Sequence, residues 1–157
     1  MMGPISRWIL SRVVASGMAF EDEAIGDYRA MREKLGQSGS CSERLESSLC
    51  HLLEEEETHK RVLTDAAAGK LSEADLDSLL SGHLFPGLGS LQPLSAEEAS
   101  AWGGDLERAL EQEEKTWIFY SNLRRMSKIP AVKKAFEALA AMEKEHVDIL
   151  RRLMGKG

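Results

Sequence analysis

The sequence predicts an all-α four-helix bundle with one long crossover, and three observations point to it. Four long stretches carry apolar residues at the three- and four-residue spacing of a helix face. None of the four prolines, at 4, 86, 93 and 130, falls inside such a stretch. The stretches form two pairs, each joined by a short turn, with a long connection between the pairs. Short turns make antiparallel hairpins, and a long crossover lets the second hairpin lie on the first with the second and third long helices parallel.

The first stretch runs from about Arg7 to Leu35 and stops at Gly36-Gln37-Ser38-Gly39. Its opening, MMGPISRWILSRVVASGMAF, has apolar runs broken at Ser11-Arg12 and Ser16-Gly17. These are too short for a secretory signal or a membrane span, so the segment reads as the first turns of an amphipathic helix. The second stretch starts near Ser42 and ends at about Ala68, with Gly69 as its stop. In the crossover, LSEADLDSLL (71–80) predicts a short helix with Ser72 as its cap and Asp75 three residues on. SGHLFPGLGSLQP (81–93) reads as a loop from its glycines and prolines. SAEE (95–98) is a capping box, where a helix restarts. Gly103-Gly104 is expected to kink or break that helix before the third long one, Asp105 to Met126. The fourth begins around Pro130, a residue suited to a first helical position, and ends before Gly155.

A length of 157 residues suits one domain, taken as 1–157. With 43% apolar and 29% charged residues the chain is globular and not disordered. The net charge of -6 argues against nucleic acid or an anionic membrane as partner, since either needs a basic patch. Cys41 and Cys50 form no C-x-x-C pair, which excludes a cysteine metal motif and fits free thiols in a reducing cytoplasm.

The innermost stripe of each helix is apolar above and below, with acid in the middle. The four stripes are Val14, Met18, Glu21, Ile25, Tyr28; then Leu45, Leu49, Leu52, Glu56, His59, Leu63. The last two are Leu106, Leu110, Glu113, Trp117, Tyr120; and Val132, Phe136, Leu139, Glu143, His146, Leu150, Leu153. Burying unpaired carboxylates is very costly unless something positive joins them. Four carboxylates and two neutral imidazoles are balanced by two divalent ions. Donors of this kind, without thiolate, favour iron or manganese, and zinc can also occupy them.

One Glu-x-x-His among 19 glutamates is weak evidence; two on separate helices, facing two further stripe glutamates, is strong. Glu23 competes with Glu21, and Glu111 and Glu114 compete with Glu113. Glu23 is about 200° round the helix from Glu21, and Glu114 about 100° from Glu113. Glu54, Glu55, Glu57 and Glu145 read as the solvated face or its rim. His51 reads as a helix-surface residue and His83 as a loop residue. Trp117, Ile118 and Phe119 read as core and hairpin packing.

The donor set resembles that of the ferritin-like di-iron and di-manganese carboxylate proteins. Within them the sequence resembles the rubrerythrin branch, through EDEAIGDY (21–28), EETH (56–59), EEKTWIFY (113–120) and EKEH (143–146). The similarity covers the four long helices, and the two halves resemble each other as a duplicated hairpin would. The resemblance implies metal ligands Glu21, Glu56, His59, Glu113, Glu143 and His146. It also implies that Tyr28 and Tyr120, the only tyrosines, hydrogen-bond ligand carboxylates.

The sequence departs from the family in three places. It ends at Gly157 without the two C-x-x-C pairs of a rubredoxin domain, it carries Thr116 where the family has a further glutamate, and its crossover is longer. The expected function is reduction of hydrogen peroxide or dioxygen at two iron ions, fed by an external donor such as a rubredoxin-like protein, in a cytoplasmic homodimer. The alternatives are a ferroxidase for iron handling or storage, and a non-enzymatic metal-binding bundle. Bacterioferritins use a similar donor set, but the residue after Glu56 is Glu57, where they carry a haem-binding Met.

Overall fold

Five α-helices follow one another: α1 (Pro4–Gln37), α2 (Glu43–Ala67), α3 (Glu73–Gly82), α4 (Ala96–Met126) and α5 (Pro130–Leu153). A 3-10 turn at Leu88–Ser90 lies in the crossover. The computed structural model describes residues 4–39, 42–82, 85 and 87–156, side chains of 4–6 and 82 excepted. Cys41 and His83, read above as a free thiol and a loop residue, lie outside the described residues. There is no strand among the described residues, and the protein is an all-α, ferritin-like helical bundle.

Helix ends fall where side chains or glycines satisfy the backbone groups that the helix itself leaves unpaired. Ser42 caps α2 by accepting from the Leu45 N–H, and Ser72 accepts from Asp75 at the start of α3. Ser95 and Glu98 form the reciprocal capping box of α4. Gly69 stops α2 with φ of 68°, a conformation without penalty only for a residue lacking Cβ. Around it Lys70 N–H reaches Asp65 O and Gly69 N–H reaches Ala66 O, a Schellman ending.

Adjacent helices run antiparallel, as the ion pairs along their seams record. Arg29–Glu57 (3.0 Å) and Arg32–Glu46 (3.1 Å) join α1 to α2. Arg151–Glu114 (2.7 Å) joins α5 to α4, and Lys156, just past the end of α5, pairs with Glu107 of α4 (2.7 Å). Such exposed pairs contribute about 0–1 kcal/mol each, so the buried stripes hold the bundle and the pairs only record its register. The apolar core has two parts. One gathers Tyr28, Leu49, Leu52, Leu106 and Leu150; the other gathers Val14, Leu63, Tyr120, Phe136 and Leu139. Between them lies the polar layer described below. The short α3 packs on α5, where Leu76 joins the second part and Asp77 pairs with Lys134 at 2.8 Å.

Two expectations change. α4 runs unbroken through Gly103-Gly104. The intrinsic cost of glycine, about 1 kcal/mol per residue, is overridden by packing on both sides. Trp102 and Leu106 are buried, and the Lys34 ammonium sits 4.6 Å from the Trp102 ring centroid and 2.8 Å from Asp105. Ile118 is exposed and packs against no core, while Trp117 and Phe119, its neighbours along the chain, are half-buried against the core as read. A Cβ at Gly103 or Gly104 would meet no atom within 4 Å. Gly103→Ala and Gly104→Ala are therefore expected to raise stability by about 0.5–1 kcal/mol each, read from the midpoint of urea unfolding.

Candidate metal centre

Each long helix brings one carboxylate to the mid-plane of the bundle. Glu21 comes from α1, Glu56 and His59 from α2, Glu113 from α4, and Glu143 and His146 from α5. Five of the six are fully buried and Glu113 is 1% exposed, so bulk solvent does not reach them. On α2 and α5 the three-residue spacing sets the carboxylate and imidazole on one face. The rings of His59 and His146 stack at 5.2 Å between centroids, and their Nδ1 atoms face the carboxylates.

The distances follow a two-fold pattern. Glu143 Oε1 lies 2.9 Å from His59 Nδ1, and its Oε2 lies 3.4 Å from His146 Nδ1. Glu56 mirrors this, Oε1 lying 3.1 Å from His146 and Oε2 3.3 Å from His59. Each of these two carboxylates thus spans both imidazoles. Glu21 approaches His59 at 3.3 Å and Glu113 approaches His146 at 3.6 Å, one imidazole each. The tyrosines cross over: the Tyr28 hydroxyl of the first hairpin donates to Glu113 of the second, and that of Tyr120 donates to Glu21.

Electrostatics divides the carboxylates along the same line. Burial pushes Glu56 well above the usual carboxylate range and Glu143 up to about 8, and the neighbouring carboxylates push further. Burial acts on Glu21 and Glu113 as well. There it is outweighed by His59, Glu56 and the Tyr120 hydroxyl for Glu21, and by Glu143 and then His146 for Glu113, so both fall below the usual range. Burial alone would lower both imidazoles, but the facing carboxylates raise them well above the usual value. The shifts of Glu56, Glu143 and both imidazoles all favour added positive charge in the layer. The oxygens of Glu56 and Glu143 have no hydrogen-bond donor, an arrangement that suits cations. Glu56, His59, Glu143 and His146 place ligand atoms within 4.8 Å of one another, as a metal site requires.

The alternatives left open by spacing fall outside the layer. Glu114 turns to Arg151, Glu111 is exposed beside Lys115 at 3.2 Å, and Glu23 is exposed. Thr116 is buried, but its hydroxyl donates to the Gln112 carbonyl at 3.0 Å and supplies no carboxylate. Gly17 allows the close approach of α1, since a Cβ there would lie 3.1 Å from the Tyr120 hydroxyl and from Leu63 Cδ1.

A second cluster was not expected. Glu54 and Glu57 are exposed as read, but Glu55 and Glu145 are buried, and His51 is no bare surface residue. His51 Nε2 lies 2.8 Å from Glu145 and 3.6 Å from Glu55, and its ring packs on Phe85. Glu145 also accepts the Phe85 N–H at 3.2 Å. Glu145 lies on the α5 face turned toward α2 and the crossover, which covers it. The His51–Glu55 spacing of four residues was visible in the sequence; the covering by Phe85 was not. These three residues also place ligand atoms within 4.8 Å of one another.

Fold and layer together resemble the ferritin-like carboxylate bundles. The rubrerythrin family model matches residues 105–157, most of α4 and all of α5, which is a third of the chain. Over that segment the chain is similar to the rubrerythrins. Comparison with curated proteins and with solved structures gives no match.

His51→Ala would leave Glu55 and Glu145 buried without the imidazole. Loss of about 1–3 kcal/mol is expected in urea unfolding, with the crossover around Phe85 gaining protease sensitivity first.

Proposed function

We propose that the layer holds two iron ions and that the protein reduces hydrogen peroxide with electrons from an external donor. The observation that carries this reading is that Glu56 and Glu143 each present one oxygen to each imidazole, while Glu21 and Glu113 each serve one. His59, His146, Glu21, Glu56, Glu113 and Glu143 would together hold two such ions. Four carboxylates with neutral imidazoles balance two divalent cations, and oxygen-rich, thiolate-free donors suit iron.

Two ferrous ions held there would supply the two electrons that, with two protons, convert one hydrogen peroxide to two waters. The chain's own residues set the conditions. Tyr28 and Tyr120 hold Glu113 and Glu21 in place through their hydroxyls. Both hydroxyls stay protonated, because burial and the nearby carboxylates raise them well above their usual value. The apolar layers on either side exclude bulk water. No described helix is long and apolar enough to cross a membrane.

Elemental analysis is expected to find about two iron ions per chain in protein from iron-supplied cells, lost in Glu56→Ala/Glu143→Ala. The reduced protein should consume peroxide faster than free ferrous iron does, and equal rates would sink the peroxidase reading. Loss of a proton is required for Glu143, at about 8, to face a cation. Metal affinity should therefore rise with pH up to about 8, with proton release on loading seen by calorimetry in two buffers.

A further inference from the structure

Cations gather at one end of α1 and around the α4–α5 turn. Residues 1–20 contain Arg7 and Arg12 and no acid. Residues 116–136 contain Arg124, Arg125, Lys128, Lys133 and Lys134 and no acid. Antiparallel packing of α1 on α4 brings these two segments to the same end, as the contact of Phe20 with Phe119 shows. Among the described residues Lys134 pairs with Asp77 of α3, which brings Glu73, Asp75 and Asp77 onto α5, and Glu137 is the first acid further along α5. The net charge of -6 averages over this segregation.

The same end exposes large apolar side chains. Met126 is 75% exposed, Trp8 60%, Ile9 51% and Ile129 37%. Ile9, Met126 and Ile129 rim one apolar groove of about 340 Å³ between the start of α1 and the α4–α5 turn, with Lys128 at its edge. The Arg12 guanidinium lies 5.1 Å from the Trp8 ring centroid, so cation and aromatic face solvent together. Exposed apolar residues gathered in one place mark a surface that meets something.

We propose that this end docks peripherally on an anionic lipid bilayer. Trp8, Ile9, Met126 and Ile129 would sit at the headgroup–acyl boundary, while Arg7, Arg12, Arg124, Arg125 and Lys128 meet the headgroups. Tryptophan and amphipathic helix faces favour that boundary, and clustered cations add attraction to anionic lipid. A second copy is a poorer occupant, because a two-fold contact would set Arg124, Arg125 and Lys128 against themselves. A nucleic acid would meet the cations but leave the apolar groove against a polyanion.

The test is flotation of the full chain with vesicles of phosphatidylglycerol and phosphatidylcholine, and with phosphatidylcholine alone. Binding is expected only to the anionic vesicles, weakening at least about tenfold at high salt. Two variants separate the contributions: Arg124→Glu/Arg125→Glu/Lys128→Glu, and Trp8→Ser/Met126→Ser. Both lie far from the carboxylate layer, and circular dichroism checks that each stays helical. Each should lose about tenfold or more in vesicle affinity. Absence of wild-type flotation, or undiminished binding by both variants, would overturn the proposal. So would a dimer in sedimentation that persists in wild type and is lost in Trp8→Ser/Met126→Ser, which would give this face to a second copy.

Discussion

Everything in this molecule is arranged around a cost: four carboxylates and two imidazoles buried in the middle of a helical bundle. No apolar packing could stabilise that layer, because each unpaired ion would lose several kcal/mol of hydration. The structure meets the cost by making the charges face one another. His59 and His146 lie against the four carboxylates, and the raised proton affinity of Glu56, Glu143 and both imidazoles marks a layer that favours added positive charge. The apolar core is split in two as a result, and each half must be well enough packed to stand alone. The fully buried Leu49 and Leu52 on one side, and Leu63 and Leu139 on the other, do that.

The helices that carry the layer are ordinary in their ends and unusual only in their centres. Ser42, Ser95 and the Gly69 stop set where α2 and α4 begin and where α2 finishes. Those local devices fix the length of each helix. Length and register together decide that position 56 meets 146 and that position 21 meets 120. A shift of one residue in α2 would turn Glu56 about 100° away from the layer.

Much of this was legible in the sequence because it is periodic. Glu21, Glu56, His59, Glu113, Glu143 and His146 lie on apolar stripes, and stepping by three and four residues finds all six. The same stepping left Glu23, Glu111 and Glu114 as competitors off the stripe, and the structure places all three outside the layer. What the sequence hid was tertiary. Gly103-Gly104 reads as a break because glycine propensity is local, yet Trp102 and Leu106 are buried on either side and keep the helix whole. Glu145 reads as solvated because its own helix shows only that it is off the stripe; the crossover residue that covers it, Phe85, is 60 positions away. The basic end escaped a reading based on net charge, because a sum over the chain cannot register position.

The crossed tyrosines make the two hairpins behave as subunits of a tethered dimer. Each half carries one glutamate, one Glu-x-x-His and one tyrosine, but the tyrosine serves the other half's glutamate. Neither hairpin can complete its own half of the layer. Separating them breaks both hydroxyl contacts and opens both imidazoles to water in the same event. Retention of anything held in the layer then depends on the docking of the two hairpins as well as on the donors themselves.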